Sequence, residues 1–313
     1  MQFVHSLAAY RRPTKGLALA IGNFDGFHLG HQAVVAAMLD HARHRDLVPA
    51  VMIFEPQPLE LFIKYQPPAR LFSLRDKVEA LQGAGVQLVL CMRFDRTFAS
   101  QSPEDFVKGL LWRQLGVKDV VVGSLFTFGK GGLAGIKELK ALGSACGMEA
   151  EAIEGVSVDG ERISSTMVRQ LLKEGSFHRA QQVLGHPYTI SGRVVHGDSL
   201  GRTLGFPTAN LSLRRLISPL NGVYAVSVGL PSGRVCPGMA NIGVRPTVRA
   251  GGRSRLEVNI FDFDDDLYGQ HLKITFQGRI RDECHFADLE TLKERLGRDR
   301  EQALRIFSPV RTG

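Results

Sequence analysis

Apolar and polar positions follow two different rhythms along the chain. From Leu17 to about Ile153, short apolar runs are separated by longer amphipathic stretches: LALAI (17–21), AVMIF (50–54), VQLVLCM (86–92), DVVVG (119–123) and EAEAI (149–153). Buried strands alternating with helical segments predict a parallel sheet with crossover helices, an α/β domain. Val34, Val35, Met38, Leu39 and Ala42 share one face at a 3.6-residue period, and SPEDFVKGLLWRQL (102–115) opens with a serine cap before two acidic residues. SSTMVRQLLKEG (164–175) and SFHRAQQVLG (176–185) predict two further helices, each ending at a glycine.

Beyond GHPY the rhythm shortens. TISGRVVHG (189–197), GVYAVSVGL (222–230), LEVNIFDF (256–263) and HLKITF (271–276) are β-type runs separated by Gly, Pro, Asn and Asp, with no helical period between them. Such spacing predicts a small antiparallel barrel or sandwich. FADLETLKERLGRDREQALRIF (286–307) returns to helical spacing and is expected to pack on that barrel. The change of texture places a boundary near Gly185 to Pro187, giving domains 1–185 and 186–313.

Composition adds bounds. A length of 313 residues suits two domains, and 44% hydrophobic with 22% charged residues is ordinary for a globular protein. No apolar run approaches the ~20 residues that span a bilayer, and the N-terminus lacks a secretory pattern. The expected setting is therefore the cytoplasm, with no membrane partner. Cys91, Cys146, Cys236 and Cys284 lie far apart, without a Cys-x-x-Cys pair, so they read as packing residues or free thiols. The net charge of +8 is scattered, with short clusters such as HARHR and LRR, which favours polyanionic small molecules over nucleic acid. Nothing in the pattern demands an obligatory protein partner.

Two stretches carry candidate chemistry. In AIGNFDGFHLGHQAVV (20–35) a buried strand passes through a glycine-containing turn into a helix start, where free N–H groups and the positive end of the helix dipole suit phosphate. His28 and His31, at i and i+3, share one face of the first turn and can donate hydrogen bonds to phosphate oxygens. A turn cap and a solvated histidine are the bland alternatives. RISSTMVRQLL sets Ser164, Ser165 and Thr166 at a helix start with Arg169 one turn inside, which by itself equally describes an N-cap. In HGDSLGRTLGFPTANL (196–211), Gly197, Gly201 and Gly205 make a loop whose backbone can approach a phosphate. Thr208 and Asn210 are alternate residues. If extended, they offer two neutral oxygens to Mg²⁺ held mainly by nucleotide phosphates; a turn followed by a strand edge is the alternative.

Taken together, these motifs resemble a known family. The first stretch is similar to the His-x-Gly-His signature of nucleotidyltransferases, and residues 163–169 resemble the Ile-Ser-Ser-Thr-x-x-Arg signature that closes the same nucleotide site. GRTLGFPTAN, GVYAV, ANIGVRPTV, LEVNIFDF and LYGQHLKITF resemble, in order and spacing, a riboflavin kinase domain. With FEPQPLELF and RFDRTFA, the resemblance to the bacterial bifunctional riboflavin kinase and FAD synthetase family covers nearly the whole chain. It implies a Rossmann-like nucleotidyltransferase domain followed by a β-barrel kinase domain with a C-terminal helix. It also implies ATP, riboflavin and FMN as ligands, Mg²⁺ with ATP, and flavins as substrate and product.

The resemblance assigns Thr208 and Asn210 to Mg-ATP, and Glu257 to the carboxylate that takes the proton from the ribityl hydroxyl. It gives His28, His31 and Arg169 to charge stabilisation in adenylyl transfer. Gly22, Asn23 and Asp25 would shape the turn and touch the nucleotide, although a purely structural role for Asp25 stays open. Leu125, Phe126 and Phe128, in VVGSLFTFGKGGLAG, fall on the flavin side. Here the chain departs from the family, which usually has polar or acidic residues where Ser124 and Leu125 stand. Leu125 can neither donate nor accept a hydrogen bond, so weakened adenylylation with an intact kinase is the expectation. A riboflavin kinase alone and a non-catalytic flavin-binding protein are the alternatives.

Overall fold

The architecture comes from a computed structural model that describes residues 1–63, 67–197, 201, 204–213, 217–244 and 254–307. Six strands, β1 (Gln2–Val4), β2 (Leu17–Ile21), β3 (Val48–Glu55), β4 (Leu88–Arg93), β5 (Val117–Gly123) and β6 (Glu149–Ile153), form one sheet in the order β1-β4-β3-β2-β5-β6. Every pairing in it is parallel. All five residues of β2 are buried, as a strand covered on both faces requires. The connections carry α1 (Leu29–His44), α2 (Pro58–Phe62), α3 (Leu74–Gly83), α4 (Arg96–Ala99), a π-helix (Asp105–Leu115) and α5 (Ile136–Ser144). Strand order reverses between β2 and β5, and at such a switch point the following loops diverge and leave a crevice.

The pattern at 102–115 predicts an α-helix, but the chain winds there with wide π turns. Its buried residues Phe106, Val107, Leu110, Leu111 and Leu115 still form one inward face. Ser102 still caps the entry, its Oγ accepting from the Asp105 N–H at 3.0 Å.

A small hairpin, β7 (Ser157–Val158) with β8 (Glu161–Arg162), precedes α6 (Ser165–Lys173) and α7 (Phe177–Leu184). Packing divides the chain into two units, residues 1–68 with 77–164, and 69–76 with 165–313. The expected division at 185/186 follows the change of strand rhythm, whereas α6 packs on α7 and α7 packs against the barrel.

The second unit is a closed antiparallel barrel of β9 (Thr189–Val195), β10 (Ala209–Ser212), β11 (Gly222–Gly229), β12 (Val235–Val244), β13 (Ser254–Ile260) and β14 (His271–Arg281), with α8 (Leu289–Phe307) after it. Tyr224, Val226, Ala240, Ile242, Leu256 and Val258 are buried inside by strand alternation. The alternate residues Val223, Ala225 and Met239 face outward and are covered by Leu296, Ala303 and Phe307 of α8. Asp299 on α8, only 1% exposed, is held by Arg281 of β14 at 2.8 Å and by Arg295 at 3.1 Å. Removing one partner of so buried a pair strands a charge, so this contact fixes α8 on the barrel. β12 is not among the β-type runs of the sequence pattern, and it contains Pro237, Gly238 and Gly243, residues that locally disfavour a strand. Pairing with β11 and β13 on both sides overrides that local signal, and the Pro237 carbonyl accepts from the Phe261 N–H at 2.9 Å.

One polar clip ties α1 to the sheet. Asp119 of β5 is fully buried and accepts from Arg45, while His41 bonds Glu151 at 2.7 Å and Asp119 at 3.4 Å through its two ring nitrogens. Burial disfavours the charged imidazole, but the bonds to Glu151 and Asp119 outweigh it, so the His41 pKa is raised from 6.5. A raised folded pKa gives stability that is complete below about pH 6.5 and is lost as pH rises through the folded value. Thermal unfolding from pH 6 to 9 should therefore show a loss of stability that His41→Gln removes.

Candidate active sites

The crevice at β2 and β5 is built by a contorted turn. β2 ends at Ile21, and Phe24 (φ 47°), Gly26 (φ 80°) and Phe27 (φ 43°) then adopt left-handed backbone before α1 begins. Two phenylalanines in that region are strained, and such strain persists where the surroundings over-determine it. Asp25 is buried within this turn. His28 caps α1: its Nδ1 accepts from the His31 N–H at 3.3 Å. The two imidazoles stack with centroids 3.7 Å apart, and Phe24 meets His31 edge-on at 5.3 Å. A side chain on Gly22 would press on the Phe24 ring.

This arrangement leaves polar atoms waiting. His31 Nδ1 and Asn23 Oδ1 are both buried without a hydrogen-bond partner among the described residues. Such groups are costly unless something fills the site. The His31 pKa lies well below 6.5, first through burial and then through the positive charges of His28 and Lys77. Lys77 on α3 is 1% exposed, a burial that no local pattern announces, since a lysine in an amphipathic helix is ordinarily a solvated position. The site therefore sets a neutral His31 near Lys77 and the N–H groups of α1, an arrangement that favours a polyanion.

On the β5 side, Leu125 is 74% exposed, Phe126 is half-buried, and Phe128 is buried against Phe106 with ring centroids 5.3 Å apart. Ser124 Oγ accepts from Arg162 at 3.2 Å. Phe128 belongs to a run of ring contacts that continues through Phe106, Phe98 and Phe94 to the exposed Phe62. These rings come from α2, the β4–α4 segment, the π-helix and the loop after β5, and no local pattern announced their meeting. Further along, Ser164 precedes α6, Ser165 and Thr166 open it, and Arg169 lies one turn inside, its Nε donating to the Ala69 carbonyl at 2.5 Å.

In the second unit, a cavity between the outer barrel face and α8 is lined by Gly201, Thr208 and Glu257, with Met239, Asn241 and Leu296. Thr208 also lines a second cleft with Pro207, Ala209, Asp264, Asp265, Asp266 and Tyr268. Asn210 lies directly across from Glu257 in the β10–β13 register, yet it lines neither cavity. It is 7% exposed, and its Oδ1 accepts from Arg255 Nε at 3.1 Å. Arg255, which the motifs did not single out, is also 3.0 Å from Glu257 Oε1. Asn259 Nδ2 donates to the Pro207 carbonyl at 2.8 Å, securing the segment that carries Thr208.

Two glycines of the loop have steric reasons. A side chain on Gly197 would collide with the Asn210 amide, and one on Gly201 with the Phe206 carbonyl and Thr208. Residues 198–200 and 202–203 of that loop, and 245–248 of ANIGVRPTV, lie outside the described residues. Asn241 Oδ1 is a further buried acceptor without a partner among the described residues, beside Glu283 in the same cavity.

Comparison with known proteins finds a described family for each part of the chain. A family described as FAD synthetase matches residues 11–167, and one described as riboflavin kinase matches residues 184–307. The bifunctional riboflavin kinase/FMN adenylyltransferase of Escherichia coli K12 is 47% identical, with 97% of this chain and 96% of that protein covered. Those of Haemophilus influenzae and Pseudomonas fluorescens are 42% and 43% identical, over 98% and 99% of this chain and 100% and 99% of theirs. A crystal structure described as a macrolide-efflux protein from Streptococcus pneumoniae shares the fold, with a TM-score of 0.80 and 30% identity over 97% of this chain and 98% of its own. No helix among the described residues is long and apolar enough to cross a membrane. A parallel-sheet unit with a phosphate-receptive turn, a closed barrel with a carboxylate at its cavity, and full-length relatives at this identity lead to one assignment: the chain belongs to the bifunctional riboflavin kinase/FMN adenylyltransferase family.

Proposed function

We propose that this protein converts riboflavin to FAD in two ATP-dependent steps, phosphorylation in the barrel unit and adenylylation at the parallel-sheet crevice. The observation that carries this reading is that Thr208 lies between two cavities, one shared with Glu257 and the other polar. Riboflavin in the first and ATP in the second would meet at Thr208. Glu257 then accepts the proton of the ribityl hydroxyl as its oxygen bonds to the γ-phosphorus, and the bond to the ADP oxygen breaks. Mg²⁺, when bound with ATP, offsets the phosphate charge; Thr208 and Asn210 would hold it. The donor set fits a cation, because Asn210 Oδ1 already accepts from a guanidinium.

In the second reaction a phosphate oxygen of FMN attacks the α-phosphorus of ATP and pyrophosphate leaves. That phosphate is largely ionised near neutral pH, so no protein base is needed. His28, His31 and the first N–H groups of α1 stabilise the growing charge. Gly22, Asn23 and Asp25 shape the nucleotide turn. On the strength of the signature they match, Ser164, Ser165 and Thr166 are assigned as nucleotide contacts and Arg169 to charge stabilisation with the two histidines. Gly197 and Gly201 are assigned to the kinase nucleotide loop, and Leu125, Phe126 and Phe128 to the flavin. We place both reactions in the cytoplasm, with residues 1–185 and 186–313 as the functional halves; the two family matches, ending at 167 and beginning at 184, support that division.

The halves separate experimentally. With riboflavin, ATP and Mg²⁺, chromatography should show both FMN and FAD. Asn210→Ala or Glu257→Ala should slow FMN formation by roughly 10²-fold or more while leaving FMN adenylylation, and His31→Ala should do the reverse. Loss of both activities in any one folded variant would contradict separate sites. Leu125→Asn should raise the bimolecular rate constant for FAD formation, and an unchanged constant would show that the exposed leucine costs nothing.

The depressed His31 pKa gives a further test. His31 is neutral in the empty site, and a bound triphosphate favours its imidazolium, so ATP binding near pH 7 should take up protons. Calorimetry in buffers of different ionisation enthalpy measures that uptake, and His31→Gln should diminish it.

A further inference from the structure

Strand alternation puts Arg255 and Glu257 on one face of β13, and antiparallel register sets Asn210 of β10 directly opposite Glu257. Into this corner Arg255 Nε points with a hydrogen bond of 3.1 Å to Asn210 Oδ1, while standing 3.0 Å from Glu257 Oε1. The oxygen it takes is the one assigned above to the metal-nucleotide, and the carboxylate it neutralises is the one assigned as base. We infer that Arg255 is a stand-in cation, holding Asn210 and Glu257 in the nucleotide-free protein and giving way when the metal-nucleotide arrives. This rests on the assignment of Asn210 and Glu257 made under the proposed function.

The surroundings decide which partner moves. Asn210 is 7% exposed and its amide is packed so closely against Gly197 that a Cβ there would overlap it. It has little room to turn away. The Arg255 side chain is 31% exposed, on a flexible stem with solvent within reach. Two cations sharing one amide oxygen repel at short range, so the displaced group is the guanidinium. Until then the guanidinium compensates the Glu257 carboxylate, whose side chain is 32% exposed. The arginine therefore steadies the empty site and competes with the metal-nucleotide for it.

Isothermal calorimetry with ADP, in the presence and absence of Mg²⁺, reads the competition directly without turnover. Breaking a partly exposed pair in advance should make Arg255→Gln bind Mg·ADP about two- to fivefold more tightly than the unaltered protein, with metal-free ADP bound as before. Arg255→Lys keeps the charge on a stem that lacks the Nε donor, so it should fall between the two, and it gives the same ordering should the glutamine variant fold poorly. Equal or weaker Mg·ADP binding by both variants would overturn the inference, and weaker binding of ADP with and without metal would make Arg255 a phosphate ligand instead. Asn210→Ala separates the two levels of argument: unchanged Mg·ADP affinity in that variant would remove the metal assignment itself, whatever Arg255 does.

Discussion

Burial of β2 between β3 and β5 is the constraint on which the first unit depends. Its five residues are enclosed on both faces, and Leu17, Leu19 and Ile21 each contribute about 1.5–3 kcal/mol by leaving water. The strand is pinned in parallel register by Leu19 against Ala50 and Val120. The chain must then leave the sheet at Ile21 and enter α1 within a few residues. Left-handed Phe24 and Phe27, each costing about 1–3 kcal/mol, are tolerated because the buried strand and helix on either side fix both ends of the turn. The stacked histidines and the phosphate-receptive end of α1 are consequences of that exit.

The second unit solves its problem by closure. A six-stranded barrel has no free edge, so each strand's register is set from both sides. That is how Asn210 and Glu257, 47 positions apart by their numbers, come to face one another across β10 and β13. Outward residues that would be solvated in an isolated barrel are covered where α8 docks, and the buried Asp299 holds the helix there through Arg281 and Arg295. The cavity between barrel and helix thus depends on an ion cluster, whose Arg281 also lines it.

Under the proposed function the two sites would meet phosphate in opposite electrostatic ways. At the crevice, burial and the neighbouring charges of His28 and Lys77 keep His31 neutral, beside the N-terminal end of α1. At the barrel, a carboxylate and an amide oxygen await a cation, and Arg255 supplies one from within the chain. On the proposed reading the first site would gain charge on binding its ligand through protonation, and the second would exchange one cation for another.

Local pattern determined much of this. LALAI, AVMIF and DVVVG announced a parallel sheet because strands covered on both faces must be apolar at successive positions, and the turn after LALAI marked the residues proposed to meet phosphate. The resemblance of the motifs then supplied the substrates, which no periodicity contains. β12 stayed illegible because its stability comes from neighbours on both sides while its own Pro237, Gly238 and Gly243 signal a turn. Lys77 and Arg255 were illegible for a related reason: a charged residue in an amphipathic element looks solvated until the fold buries it or places it beside another element's oxygen. The sequence by itself determined which segments hide from water and which residue types are offered to phosphate. Only the tertiary structure decided which of those residues meet, because burial pattern is carried by neighbours a few positions apart, whereas register and charge pairing are carried by residues far apart in the chain.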